Sequence, residues 1–218
     1  MNKNEWKEYK LGDVAEKIFS GGTPSTKNEK FWNGNVNWLS SGETRNNYIF
    51  ETEKKITSLG VKNSSTKLAK KYDIVIASAG QGHTRGQTSI CLIETYINQS
   101  VISIRVNKSL AYPFFVFFNL KRRYKELRQI SDSHSIRGSL TTKIIKQLLI
   151  NLPPLEEQKR IAGILKSLDD KIELNNQMNK TLEEIAQTLF KHWFVDFGPV
   201  IDNALEKGNA IPDELKHI

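Results

Sequence analysis

The sequence holds one cysteine in 218 residues, which excludes an intrachain disulfide and a thiolate metal cluster. That residue, Cys91, lies in the apolar run Ile90-Cys91-Leu92-Ile93, where a buried inert thiol is expected rather than a nucleophile. No apolar stretch is long enough to cross a bilayer, and the opening Met-Asn-Lys-Asn-Glu-Trp lacks the apolar core of a signal segment. A cytoplasmic protein with no membrane partner is therefore expected. The histidines His83, His134, His192 and His217 are scattered without metal-type spacing, so no metal is expected. There is no Gly-Lys-Ser/Thr phosphate loop, and Gly80-Gln81-Gly82-His83-Thr84-Arg85-Gly86 is one residue too long for the dinucleotide fingerprint. Asn151-Leu152-Pro153-Pro154 has the wrong order for the Asn-Pro-Pro-aromatic motif of amino-methyltransferases. No catalytic residue and no cofactor of the chain's own is expected.

What is present in excess is positive charge, and it is unevenly placed. Residues 1–150 carry 24 Lys+Arg against 12 acidic residues, net +12, whereas residues 151–218 carry 8 against 12, net −4. A basic part joined to a mildly acidic one points to a polyanion as partner of the first part only.

The basic part reads as a mixed or β-rich domain. Strands are predicted at Val36–Leu39, Asp73–Ser78, Thr88–Ile93 and Val101–Val106, all rich in β-branched residues and bounded by Gly, Asn or Ser. A helix is predicted from about Pro113 to Arg128, followed by a polar loop from Asp132 to Ser139. Pro153-Pro154 marks a boundary, and Glu156-Glu157 then place negative charge in the first turn of a second helix. That helix is predicted to run to about Phe194 and to end at Gly198-Pro199, leaving a weakly ordered polar tail. The expected organisation is a domain over 1–152, a long helix over 153–197 and a tail over 198–218, an α+β chain overall.

The long helix carries a heptad seam. Ile161, Leu165, Leu168, Ile172, Asn175, Asn179, Leu182, Ala186, Leu189 and Trp193 alternate in spacings of four and three. Such a seam is the mark of a helix that supercoils against another, and over this length it spans roughly 50 Å. Asn175 and Asn179 lie symmetrically about residue 177, the centre of the seam. Two copies packed antiparallel about that point would set Asn175 against Asn179, a polar pair that fixes register. A parallel pair would also match Asn with Asn, and packing against the chain's own domain is the remaining alternative.

In the basic domain, the Gly/Ser loop Ser20-Gly21-Gly22-Thr23-Pro24-Ser25 could bring backbone N–H groups and hydroxyls to phosphates. Arg45, Gln81, His83, Thr84, Arg85, His134, Ser135 and Arg137 lie in polar loops, where Arg suits guanine and Gln suits adenine in the major groove. Lys121, Arg122 and Arg123 suit sequence-independent phosphate contacts. Any one loop could equally be an ordinary turn, and the Lys-Arg-Arg run a solvated helix end. Several polar loops in a domain of this charge favour double-stranded DNA as the partner.

These segments together resemble a known family. Trp6-Lys7-Glu8-Tyr9-Lys10-Leu11-Gly12-Asp13-Val14, Ser20-Gly21-Gly22-Thr23-Pro24-Ser25, and Trp32-Asn33-Gly34 with Trp38 resemble the opening of a target recognition domain of Type I restriction-modification specificity subunits. Tyr72-Asp73-Ile74-Val75-Ile76-Ala77-Ser78-Ala79-Gly80 resembles that domain's central strand and glycine loop. Leu152-Pro153-Pro154-Leu155-Glu156-Glu157-Gln158-Lys159-Arg160-Ile161 and Leu189-Phe190-Lys191-His192-Trp193-Phe194-Val195-Asp196-Phe197 resemble the two ends of the family's spacer helix. The resemblance implies a non-catalytic subunit that chooses the DNA sequence on which partners act. Modification subunits would bring S-adenosylmethionine, and a restriction subunit, where present, ATP-driven translocation and cleavage. Family members typically carry two recognition domains and two spacers, while this sequence holds one set. The resemblance therefore implies a half-length form, pairing as a homodimer on an interrupted palindrome. A stand-alone dimeric DNA-binding regulator is the first alternative, and an interaction protein whose coiled coil is the functional part is the second.

Overall fold

The computed structural model describes residues 5–80, 83–134 and 138–210. Its contacts divide the chain into two compact units, Met1–Leu165 and Lys166–Ile218.

The first unit is built on two sheets. The larger uses β2 (Ala15–Ser20), β4 (Tyr48–Ile49), β7 (Ile74–Ala77), β8 (Thr88–Cys91) and β10 (Val101–Val106), in the order β2-β10-β7-β8-β4. The smaller uses β3 (Trp32–Leu39), β5 (Lys54–Ile56), β6 (Lys67–Ala69) and β9 (Thr95–Ile97), in the order β5-β3-β9-β6. A separate antiparallel ribbon joins β1 (Lys7–Lys10) to β11 (Leu149–Leu152). The predicted strands all fall within or on β3, β7, β8 and β10. In β7, β8 and β10 the Ile and Val residues are buried, and burial is what makes such residues favour a pleated surface.

Alternation along β7 explains how the core is divided. Ile74 and Ile76 point to a cluster with Ile90, Ile102, Ile104 and the phenylalanines of α2 (Pro113–Arg122). Val75 points the other way, to a cluster with Leu39, Ile97, Cys91 and Val101. Successive side chains of a strand face opposite sides, so one short apolar run serves both layers.

The single helix predicted over 113–128 is two helices. α2 stops at Arg122 and α3 (Tyr124–His134) begins after the single residue Arg123. Arg123 makes the break: its N–H donates to Leu120 O at 3.0 Å, its Nη1 to Leu149 O at 2.7 Å, and its Nε to Glu126 at 2.7 Å. The turn lets Leu127 reach full burial in the main core. Asp132 consequently lies in the last turn of α3 instead of opening a loop. α1 (Ser58–Lys62) and α4 (Thr142–Gln147) are short connectors capped by the hydroxyls of Thr57 and Thr141.

α5 (Leu155–Phe190) follows the two prolines and continues as a π-helical turn, Lys191–Val195. Its start is fixed by Gln158, which is 1% exposed. The Gln158 amide donates to Leu110 O and Pro153 O and accepts from the Tyr112 N–H at 2.9 Å, so it closes the turn into the helix and ties it to the loop before α2. Beyond Phe197, which is left-handed with φ 49°, the predicted tail instead enters α6 (Gly198–Glu206). Pro199 lies in the first turn of α6, where a missing N–H costs nothing, so Gly-Pro both ends one helix and starts the next.

Candidate nucleic-acid interface

Three residues singled out by charge and loop position, Arg45, His83 and Lys121, come together around one concave pocket of about 270 Å³. They are far apart in sequence. Asn47, Gln87 and Tyr124 complete the lining with Thr44 and Thr88. The pocket thus gathers two cations, an imidazole, two side-chain amides, two hydroxyls and a phenol, the set of donors and acceptors that base edges and phosphates require.

Each side chain is held by local structure. Arg45 ends a 3₁₀ turn, Ser41–Arg45, whose start is closed by a capping box between Ser40 and Glu43. Glu43 is 3% exposed, and its second carboxylate oxygen accepts from the Glu53 N–H at 2.8 Å, so this loop is rigidly pinned. Arg45 itself is exposed and pairs with Glu53 at 2.5 Å across solvent, an interaction weak enough to exchange for a phosphate or base. Tyr124 opens α3 and donates its hydroxyl to His83 O at 2.8 Å, fixing the exposed His83 beside it. Lys121 lies over the rings of Phe117 and Phe118, at 5.7 and 5.9 Å from their centroids, with its stem half-buried.

Other expected contacts are placed differently. Arg85 is 9% exposed, with Nη1 on Gly138 O at 3.0 Å and Nη2 on Asp132. Its guanidinium joins the loop after β7 to the end of α3, and base reading is not the task this geometry serves. The backbone amides of Gly21 and Gly22 are also committed within the fold, contrary to the expectation of phosphate contacts. Gly21 donates to Asn98 O and Gly22 to Ile97 O. A Cβ at Gly21 would lie 1.8 Å from Ile97 O, and one at Gly22 2.0 Å from Ser65 Oγ, so close packing is what requires these glycines. Ser20 is the last residue of β2 and pairs with Ile102. Thr23 bonds Gln99, and Ser25 is exposed with its carbonyl accepting from the Trp32 indole. Thr84 is half-buried against Gly80. Arg122, adjacent to Lys121, faces a separate groove with Trp6 and Leu165. Gln81, Ser135, Arg137 and the side chain of His134 lie outside the described residues.

Among the described residues no group of three or more His, Cys, Asp or Glu side chains is arranged for a metal, and no helix is long and apolar enough to cross a membrane. Cys91 is fully buried, and burial, reinforced by Asp73, pushes its thiol far above the usual range.

Asn47, Gln87 and Tyr124 were not singled out from sequence. Gln87 directly follows the glycine loop and Tyr124 directly follows Lys121-Arg122-Arg123, so adjacency to a marked segment was the available signal.

On α5 the seam from Leu168 onward is exposed: Leu168, Ile172, Leu182, Leu189 and Trp193 each show half or more of their surface. Asn175, Asn179 and Ala186 are likewise exposed, Leu165 less so, and Ile161 packs partly on the core. A neighbouring row, Ile164, Met178 and Ile185, falls at the position just before the seam and is also exposed.

The comparisons agree with this architecture. Residues 3–184 match the family described as the Type I restriction modification DNA specificity domain. The chain is 33% identical over 206 residues to the Type I restriction enzyme HindI specificity subunit of Haemophilus influenzae, covering 90% of this chain and 42% of that protein. It is 31% identical over 215 residues to the MjaIX specificity subunit of Methanocaldococcus jannaschii, covering 97% and 49%. The chain thus spans about half the length of the curated relatives it matches. In fold it is similar to the S subunit of a Type I restriction-modification system from M. genitalium, with TM-score 0.64 at 16% identity over 94% of this chain and 51% of that one. With a β-rich unit, a long helix and a match over most of its length, the chain belongs to the Type I restriction modification DNA specificity domain family.

Proposed function

We propose that this chain selects the DNA sequence on which a Type I restriction-modification assembly acts, with no catalysis of its own. The observation that carries this reading is the convergence of Arg45, His83 and Lys121 with Asn47, Gln87 and Tyr124 around one pocket of the basic unit. Residues 1–152 read the duplex, 153–197 space and join, and 198–218 extend from the joining helix.

Two copies pair through antiparallel α5 helices about residue 177, with Asn175 of one facing Asn179 of the other. Exposed apolar residues along the seam support an intermolecular contact, since a lone helix leaves such a stripe unburied. The adjoining row of Ile164, Met178 and Ile185 widens the stripe beyond what a two-helix seam covers. That excess surface suits helices of modification subunits, which bring S-adenosylmethionine; a restriction subunit bringing ATP-driven cleavage joins the same assembly. Identical domains roughly 50 Å apart would read identical half-sites about one and a half DNA turns apart.

The test is selection of duplexes from a random-sequence pool by the chain together with a modification subunit. The expected product is one interrupted palindrome. An asymmetric bipartite product overturns the homodimer, and no enrichment overturns the DNA reading.

A further inference from the structure

Trp6, Phe115, Phe118, Asn119, Arg122 and Leu165 line a groove of about 210 Å³ on the first unit. Trp6 is 52% exposed and its ring is tilted over Phe115 at 6.0 Å. Within this aromatic setting the Oδ1 of Asn119 is buried and accepts no hydrogen bond. A buried acceptor left without a donor is costly, so the groove lacks one component: a donor carried on an apolar body.

Leu165 belongs both to the groove and to the seam. In an antiparallel pair centred on residue 177, Leu165 of one copy faces Leu189 of the other, and Ile161 faces Trp193. This register sets an indole one helical turn from Leu165, the residue that the groove and the seam share. Trp193 is 53% exposed and Phe194 61%, and the indole N–H donates without accepting. Charge agrees: from Glu183 to Glu206 the chain holds five acidic residues against Lys191 alone, while α2 ends in Lys121 and Arg122.

We infer that the groove receives Trp193 of a second copy of this chain, its Nε1–H donating to Asn119 Oδ1 and its ring packing among Trp6, Phe115 and Phe118. The inference rests on the antiparallel pairing proposed above and adds a second contact at each end of the paired helices. Each recognition unit is thereby clasped by the far end of its partner's helix.

The experiment measures the dimer dissociation constant by sedimentation for the full chain, for Trp6→Ala, Trp193→Ala, Trp193→Phe and Asn119→Ala, and for the pairs Trp6→Ala/Trp193→Ala and Asn119→Ala/Trp193→Phe. Leu182→Asp, at mid-seam, is the control for pairing itself. Trp6 and Trp193 are both more than half exposed, so these variants are expected to fold, and thermal melts check that they do. Trp193→Phe is expected to weaken the dimer about a hundredfold, tenfold at each of two symmetry-related sites. It should have little further effect once Asn119 is alanine. The Trp6→Ala/Trp193→Ala pair should cost less than the product of its two single losses. If the groove substitutions leave the constant unchanged while Leu182→Asp disrupts the dimer, the clasp is wrong and the pairing stands. A chain that is monomeric at every concentration overturns both.

Discussion

Arg105 grips both carboxylate oxygens of Asp73, with Nε 3.0 Å from Oδ1 and Nη2 2.7 Å from Oδ2, joining β10 to the turn before β7. Asp73 is almost fully buried and also accepts from the Lys70 N–H at 2.9 Å, while the carboxylate raises the Arg105 pKa further above its usual range. Removing the arginine leaves a buried charge with only weaker partners. Arg105→Ala is expected to cost about 3 kcal/mol in urea unfolding. Arg105→Lys should fall between, since it keeps the charge but loses the two-pronged grip.

Substitutions at the candidate interface should separate three behaviours. Lys121→Ala is expected to weaken binding evenly across sequences and lower the salt slope by about one. Arg45→Ala should relax sequence choice, at about 1–3 kcal/mol for the preferred base. Arg85→Ala is expected to lower thermal stability, because the guanidinium braces Gly138 and Asp132. Binding isotherms over a salt series with two competing duplexes, run beside melts, distinguish them. Identical behaviour for all three would remove the pocket from consideration.

Glycines at two positions should respond in opposite directions to alanine. Gly21→Ala forces a methyl into Ile97 O and is expected to destabilise by at least about 2 kcal/mol. Gly163→Ala meets nothing within 4 Å on the exposed side of α5 and should gain about 1 kcal/mol from helix propensity. Denaturant midpoints decide both.

The Cys91 thiol should resist a colourimetric disulfide reagent in the native state and react at the rate of global opening. Its side chain is fully buried in β8, and burial keeps it protonated. Rapid labelling of the folded chain at neutral pH would contradict the placement of β8.

Acid stability should depend on Glu126. Its hydrogen bonds to Arg123 hold the carboxyl below the usual range, so the pair stabilises the fold above that range and the contribution is lost as pH falls through the lowered value. The carboxylate is partly exposed, so the effect is under about 1 kcal/mol. Glu126→Gln should therefore flatten the acid limb of the stability curve below about pH 4 and leave the neutral region nearly parallel. Melting temperatures between pH 3 and 7 test it.

Where burial decides conformation, the fold was readable in advance. β7, Ile-Val-Ile-Ala, and β10, Val-Ile-Ser-Ile-Arg-Val, announce themselves by their Ile and Val, which are buried on both faces. β1, Lys-Glu-Tyr-Lys, carries no such pattern; it is a strand because its backbone pairs with Leu149–Leu152, far along the chain. The break at Arg123 depends on a carbonyl that a different segment delivers, so no local propensity marks it. Around the candidate pocket, Arg45, His83 and Lys121 stood out by charge and loop position, whereas Asn47, Gln87 and Tyr124 became visible only through proximity. The Gly21-Gly22 loop was misread for a physical reason. A glycine required by a neighbouring carbonyl and one required by a phosphate are the same letter.

The β1–β11 ribbon has a consequence for how such proteins change. Lys7 lies opposite Leu152, one Pro-Pro step from the start of α5, so the two ends of the β-rich part of the first unit lie side by side. A unit closed in this way behaves as a cassette. Under the proposed function, replacing everything between the two ribbon strands would alter what is read and leave α5 unchanged, so new specificities could arise by exchange of a block as well as by point substitution.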